Sequence, residues 1–332
     1  MDCVNVTDRE VTVQLTDYIK HDGYVHHIPE LYRTLYQLRD KINNRVLRFV
    51  SHETEPFRLV AFDRVLEHLA TTLSVSKDRL ILETYDHVPR FETPWATVIT
   101  KPSTSFIHAF DIEVDKCTRD PNARLFGGFF GRFTSHRFLM AHFLETEMSQ
   151  HSVVAFQPSL QWAEYEFESV KKWFPAELDW LRHREEKNAT IEGGYNGRVD
   201  GFNCLPDYHN IFSLYQIEIV LETNVYDCGW WTEKTAKCLI SGKPFLLLGT
   251  PAQLDELRRL GFQTFSPWID ESYDHEPNPE KRFDMICDEI RRIANLDKQQ
   301  QQNMIYEINA IADYNKINYR RLVEEYVGRK IS

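Results

Sequence analysis

The chain has 332 residues, 39 basic against 50 acidic, and a formal net charge of −11. Its length supplies apolar material for about two domains, and its negative balance repels a long polyanion, which argues against nucleic acid as a partner. No run of roughly 18 apolar residues is present, and the opening MDCVNVTDREV lacks a basic start and an apolar stretch, so the expectation is a soluble, cytoplasmic protein without membrane insertion.

In chain order, Val11 to Leu15 alternates as a first strand, and Thr16 to Gly23 forms the polar loop after it. Pro29 opens a helix whose stripe runs through Leu31, Leu35, Leu38 and Ile42. Val46 to Val50 is a second strand, Phe62 to Leu73 a helix, and Arg79 to Thr84 a third strand ending at Tyr85-Asp86-His87. Thr97 to Thr100 and Phe106 to Asp111 are further short strands, and Lys116 to Ala123 reads as a linker with a boundary near Asp120. The pattern then restarts. Leu125 to Arg132 is a glycine-bearing strand and turn, Thr134 to Arg137 opens a helix, and Val153 to Phe156 is a strand. Trp162 to Trp173 reads as a helix and Glu185 to Asn210 as a long loop.

Ile217 to Leu221 ends in Glu222-Thr223, and after a loop Thr232 stands where it would cap a helix through Ala236, Leu239 and Ile240. Phe245 to Leu248 is an all-apolar strand, Leu254, Leu257 and Leu260 mark a helix, and two more helices cover Arg282 to Ile293 and Gln302 to Tyr326. Alternating strands and helices predict an α/β fold with parallel sheets. The domains expected are 1–120, 121–300 and a C-terminal helical segment, 301–332.

The six cysteines form no CxxC and no zinc spacing, so they read as reduced thiols. The carboxylates Asp111, Glu113 and Asp115 alternate on one strand and are explained by a solvated edge. The acids Asp270, Glu271, Asp274 and Glu276 match no EF-hand spacing, so no metal is assigned.

Two groups of residues suit a nucleotide. Arg132 and Arg137 flank a glycine turn at a helix start, where free N–H groups and a guanidinium fork can hold phosphate. At Thr232-Glu233-Lys234, a carboxylate at a helix start after a strand suits ribose hydroxyls and the lysine an anion. Ordinary helix capping explains the same three residues equally well. For proton abstraction, the loops after the early strands supply Asp17, His21 and Asp86. Asp17 is the first choice because it directly follows the first strand, at the ligand-facing edge of an open sheet. No GxSxG elbow or local Cys/His signature supports a covalent nucleophile.

The run WWTEKTAKCLISGKPFLLLGTPAQLDELRRLGFQTFSPWIDESYD resembles the donor-binding half of glycosyltransferases of GT-B architecture, of the viral, phage and bacterial type. Its Thr-Glu-Lys core is also similar to the nucleotide-sugar site of fucosyltransferases. The resemblance covers about 60 residues, loosens back to Arg132 and is absent from the first third. It implies two Rossmann-like domains facing across a cleft, with a C-terminal helix crossing back to the first. The nucleotide-sugar donor would be held by the second domain and a glycan acceptor by the first. It also implies roles: Glu233 on ribose, and Lys234 and Arg132 on the diphosphate with Arg137 assisting. Thr232, Glu222 and Trp231 are further donor-site candidates. No metal or other cofactor is expected, and the sequence sets no oligomeric state. A transferase acting on a modified DNA base, or a non-catalytic nucleotide- or carbohydrate-binding module, are the other readings.

Overall fold

The computed structural model describes residues 4–15, 28–51, 59–84, 93–100, 119–130, 134–156, 212–226 and 231–331. They fall into two compact units. One lies within Met1–Ile107, Asn224–Thr232 and Gly249–Glu256, the other within His108–Thr223, Glu233–Leu248 and Leu257–Ser332. The expected strand at 106–111, with its carboxylates, the helix at 162–173 and the loop at 185–210 lie outside the described residues.

In the first unit the strands are β1 (Val4–Val6), β2 (Glu10–Gln14), β3 (Val46–Val50), β4 (Leu80–Thr84) and β5 (Thr97–Thr100), in that spatial order. β1 runs antiparallel to β2, and the others are parallel neighbours. Between them come α1 (Ile28–Gln37), α2 (Arg39–Ile42) and α3 (Leu59–Thr72). The helix expected through Ile42 is therefore two helices, broken at Leu38. Alternation sends Val11, Val13, Leu47, Phe49, Leu80 and Leu82 into one core, where Leu31, Leu35, Phe62, Leu66 and Leu69 meet them. Arg48 bridges two neighbouring strands through Glu10 (3.0 Å) and Glu83 (3.2 Å). β1 escapes the sequence pattern because it is three residues long. It is held by a turn in which Thr7 Oγ1 accepts from the Glu10 N–H at 3.0 Å.

The second unit has β6 (Arg124–Phe130), α4 (Ser135–Thr146), β7 (Ser152–Phe156), β8 (Tyr215–Leu221), α5 (Glu233–Ser241), β9 (Phe245–Leu248), the end of α6 (Gln253–Arg259, whose residues up to Glu256 belong to the first unit), α7 (Pro279–Ala294) and α8 (Lys298–Ile331). Its sheet has the order β7-β6-β8-β9, all parallel. β8 and β9 are buried along their whole length, as expected of strands covered on both faces. The fold is thus α/β, with two mostly parallel sheets of five and four strands in Rossmann-like units.

The paired glycines Gly127 and Gly128 sit inside β6, the strand part of the expected strand and turn; Gly131, in the turn, lies outside the described residues. Their position has a packing cause. A Cβ on Gly127 would run into the Tyr215 ring, and one on Gly128 into the Phe130 ring. Gly127→Ala is expected to lower stability by about 1–3 kcal/mol, the usual cost of overpacking, read as a shifted urea midpoint at unchanged slope.

α8 packs along α5 and docks on the loop after α6 through side-chain amides. Asn315 Nδ2 donates to the Gln263 carbonyl at 2.8 Å, and its Oδ1 accepts from the Gln263 N–H at 2.8 Å. Gly261, with φ of 83°, supplies the left-handed residue that ends α6. Among the described residues no helix is long and apolar enough to cross a membrane.

Candidate functional site

The order β7-β6-β8-β9 fixes where a ligand fits. From β6 the chain moves outward to β7 on one side, and the later strands β8 and β9 add on the other. With right-handed crossovers, α4 and α5 leave to opposite faces, and the strand order reverses between β6 and β8. Beyond the carboxyl ends of two such strands lies the crevice that open α/β sheets use for ligands. The starts of α4 and α5, each carrying the positive end of a helix dipole, follow β6 and β8, the two strands between which the order reverses.

At the α5 start, Glu233 occupies the first helical position, and Lys234 Nζ is 2.8 Å from its Oε1. Both side chains are about a quarter exposed (26% each), enough to meet a solute. Burial would raise the Glu233 pKa, but the charge and hydrogen bond of Lys234, with Lys237 behind, outweigh it and hold the carboxyl at about 2. Glu233 is therefore an ionised hydrogen-bond acceptor beside a cation, an arrangement able to meet hydroxyl groups and an anion. Thr232 and Trp231, which precede it, are buried, Trp231 completely. The indole is thus part of the packing and not an exposed stacking face.

On the α4 side, Thr134 stands at the N-cap position without a side-chain cap bond to the helix. His136 Nε2 lies 3.0 Å from the Glu222 carbonyl oxygen, so Nε2 carries the proton and donates it there. Burial, followed by the charge of Arg137, lowers its pKa to about 3, and Lys234 adds to the effect. Burial thus favours the neutral imidazole. Arg137, buried, donates from Nη2 to the Leu221 carbonyl at 3.1 Å and to Thr223 Oγ1 at 3.4 Å. It braces the end of β8 instead of standing in solvent.

Glu222 is 1% exposed, and its Oε1 accepts from Thr235 Oγ1 at 2.6 Å. The structure therefore brings Arg137, Glu222, Glu233 and Lys234 together around the end of β8. Arg132 and the three base candidates Asp17, His21 and Asp86 lie outside the described residues. The sequence reading did not single out His136, and it gave Thr235 and Lys237 no role of their own. Thr235 and Lys237 lay within the run that carried the resemblance, and their burial inside a lysine-rich helix turn was not written in any local pattern.

Glu233, Lys234 and the starts of α4 and α5 thus stand beside the reversal of strand order in a Rossmann-like α/β unit. No protein-family model, no curated protein and no solved structure matches the chain.

Proposed function

We propose that this chain is a glycosyltransferase that moves a sugar from a nucleoside-diphosphate donor to a hydroxyl of a glycan acceptor. The observation that carries this reading is the placement of Glu233 and Lys234. They stand at the start of α5, beside the reversal of strand order, with the carboxyl held ionised. Glu233 accepts hydrogen bonds from the ribose hydroxyls, and Lys234 with the first-turn N–H groups of α5 neutralises the diphosphate. Arg132 adds a guanidinium to the same phosphates, while Arg137 acts from behind by bracing the end of β8.

The chemistry is a single displacement with inversion. The acceptor hydroxyl attacks the anomeric carbon, the nucleoside diphosphate leaves with the bonding electron pair, and a first-unit base takes the hydroxyl proton, Asp17 being the first choice and His21 and Asp86 the others. Charge on the leaving diphosphate is met by Lys234, Arg132 and the helix dipole, so the reaction calls for no metal or other cofactor.

The test is turnover. The protein is incubated with UDP-, GDP- and TDP-sugars, with and without a panel of glycan acceptors, and free nucleoside diphosphate is measured. Release that rises with one acceptor supports transfer. Donor binding without hydrolysis or transfer on any acceptor would make the chain a binding module instead.

A further inference from the structure

Glu222 holds the starts of both helices that flank the switch point. Its backbone carbonyl takes the His136 Nε2–H of α4 at 3.0 Å, and its carboxylate takes the Thr235 hydroxyl of α5 at 2.6 Å. With exposures of 1% for Glu222 and 0% for Thr235, neither side chain faces a dissolved ligand. The helix geometry gives this clasp a consequence. Successive helical residues are rotated by about 100°, so Thr235 and Glu233 stand about 200° apart. Thr235 locked inward on Glu222 therefore turns Glu233 outward, with Lys234 between them. The exposures agree: 0% for Thr235 against 26% for the Glu233 and Lys234 side chains. Threonine suits the task, because its branched Cβ leaves few rotamers and its hydroxyl supplies the donor.

We propose that Glu222 and Thr235 are positioning residues of the nucleotide-sugar site, setting the rotation and height of the α5 start and hence the placement of Glu233 and Lys234. Glu222, expected among the donor-site residues, acts through Thr235 and not on the ligand. This inference rests on the donor-site reading above. Valine at 235 would fill the same volume but leave the buried carboxylate without that donor, loosening the first turn of the helix.

The experiment is calorimetric titration of UDP, GDP and TDP into wild type, Thr235→Val, Thr235→Ser and a control, Ile290→Val, on the buried side of α7, all well below their melting temperatures. For the nucleotide that binds wild type, Thr235→Val is expected to bind about tenfold more weakly and Thr235→Ser within about twofold of wild type, the loss of one hydrogen bond to a charged group. Ile290→Val should lose melting temperature without losing affinity. A second readout separates positioning from simple softening. If the clasp places Glu233, then Glu233→Ala costs less affinity in the Thr235→Val background than in wild type. Should Thr235→Val not fold, Thr235→Ala carries the same expectation, because the smaller side chain lets water reach Glu222. Unchanged affinity in Thr235→Val, or additive losses in the double variant, overturns the clasp alone. Wild type that binds none of the three nucleotides overturns the donor-site reading and the clasp with it.

Discussion

Glu233→Ala is expected to weaken binding of the donor nucleotide by about a hundredfold, and Lys234→Ala by about tenfold. The larger figure follows from two ribose hydroxyls donating to one ionised acceptor, each such bond contributing roughly 1.5–3 kcal/mol when a charge is involved. A single ammonium on a partly solvated phosphate contributes less, because water and salt screen it. The fold should survive both changes. Glu233 lies in the first turn, where a carboxylate adds about 0.3–1 kcal/mol through the helix dipole, and its side chain is a quarter exposed. Glu233→Gln keeps an oxygen acceptor but gives up the charge, so its loss should fall between those of wild type and alanine. The pH profile offers a further check. With the carboxyl held at about 2 by Lys234 and Lys237 against burial, Glu233 does not titrate between pH 5 and 9. Donor affinity measured by calorimetry should show no step from this group across that range.

Glu218→Gln is expected to stabilise the protein at alkaline pH by a few kcal/mol while changing little at pH 4. Glu218 sits in the middle of β8, four residues before Glu222 and on the same face of the strand, paired with Gly127 on one side and Phe245 on the other. It is 8% exposed, and its Oε2 has no hydrogen-bond partner among the described residues. Burial raises its pKa from 4.5 to about 8, against the opposing pull of the Tyr215 hydroxyl, Lys243 and Lys237. Lys243 is committed elsewhere, donating to the Phe212 carbonyl at 2.6 Å and to that of Tyr215. The sign follows from proton uptake. The folded state holds a proton that the unfolded chain releases near pH 4.5, so the contribution of Glu218 is intact below 4.5 and is lost as pH rises towards 8. Every tenfold gain in proton affinity on folding is worth about 1.4 kcal/mol, so a neutral isostere recovers a few kcal/mol above pH 8. Urea unfolding of both proteins from pH 4 to 9 would show curves that coincide in acid and diverge through this window. Parallel curves would mean that Glu218 ionises freely.

Much of the fold was legible because its strands are short apolar runs between turn residues. Val46–Val50 and Thr97–Thr100 occupy the bounds that the pattern sets, and Phe245–Leu248 declares itself as a strand buried on both faces. Strand order was not legible. Nothing local in β6, β7 or β8 says that β8 pairs with β6 on the side opposite β7, since that depends on crossover direction and long-range register. The glycines illustrate the same limit. Why Gly127 is glycine is not legible locally, because Tyr215, 88 positions later, occupies the space of its missing side chain. At the site, Glu233 and Lys234 were visible as polar residues between apolar runs. The clasp was not, because Glu222 and Thr235 belong to different elements and look like an ordinary strand end and an ordinary helix residue. Glu218 had a signal that went unread: an acid in the centre of the run YQIEIVL, all seven residues of which are buried.

The most direct test of the central claim is the melting temperature of the wild-type protein against UDP-, GDP-, CMP- and TDP-sugars, because a solute that binds only the folded state raises it. The account predicts that a sugar of one nucleoside diphosphate raises the melting temperature in a concentration-dependent way, and that the rise disappears in Glu233→Ala. No rise with any of the four, or an equal rise in Glu233→Ala, would contradict it.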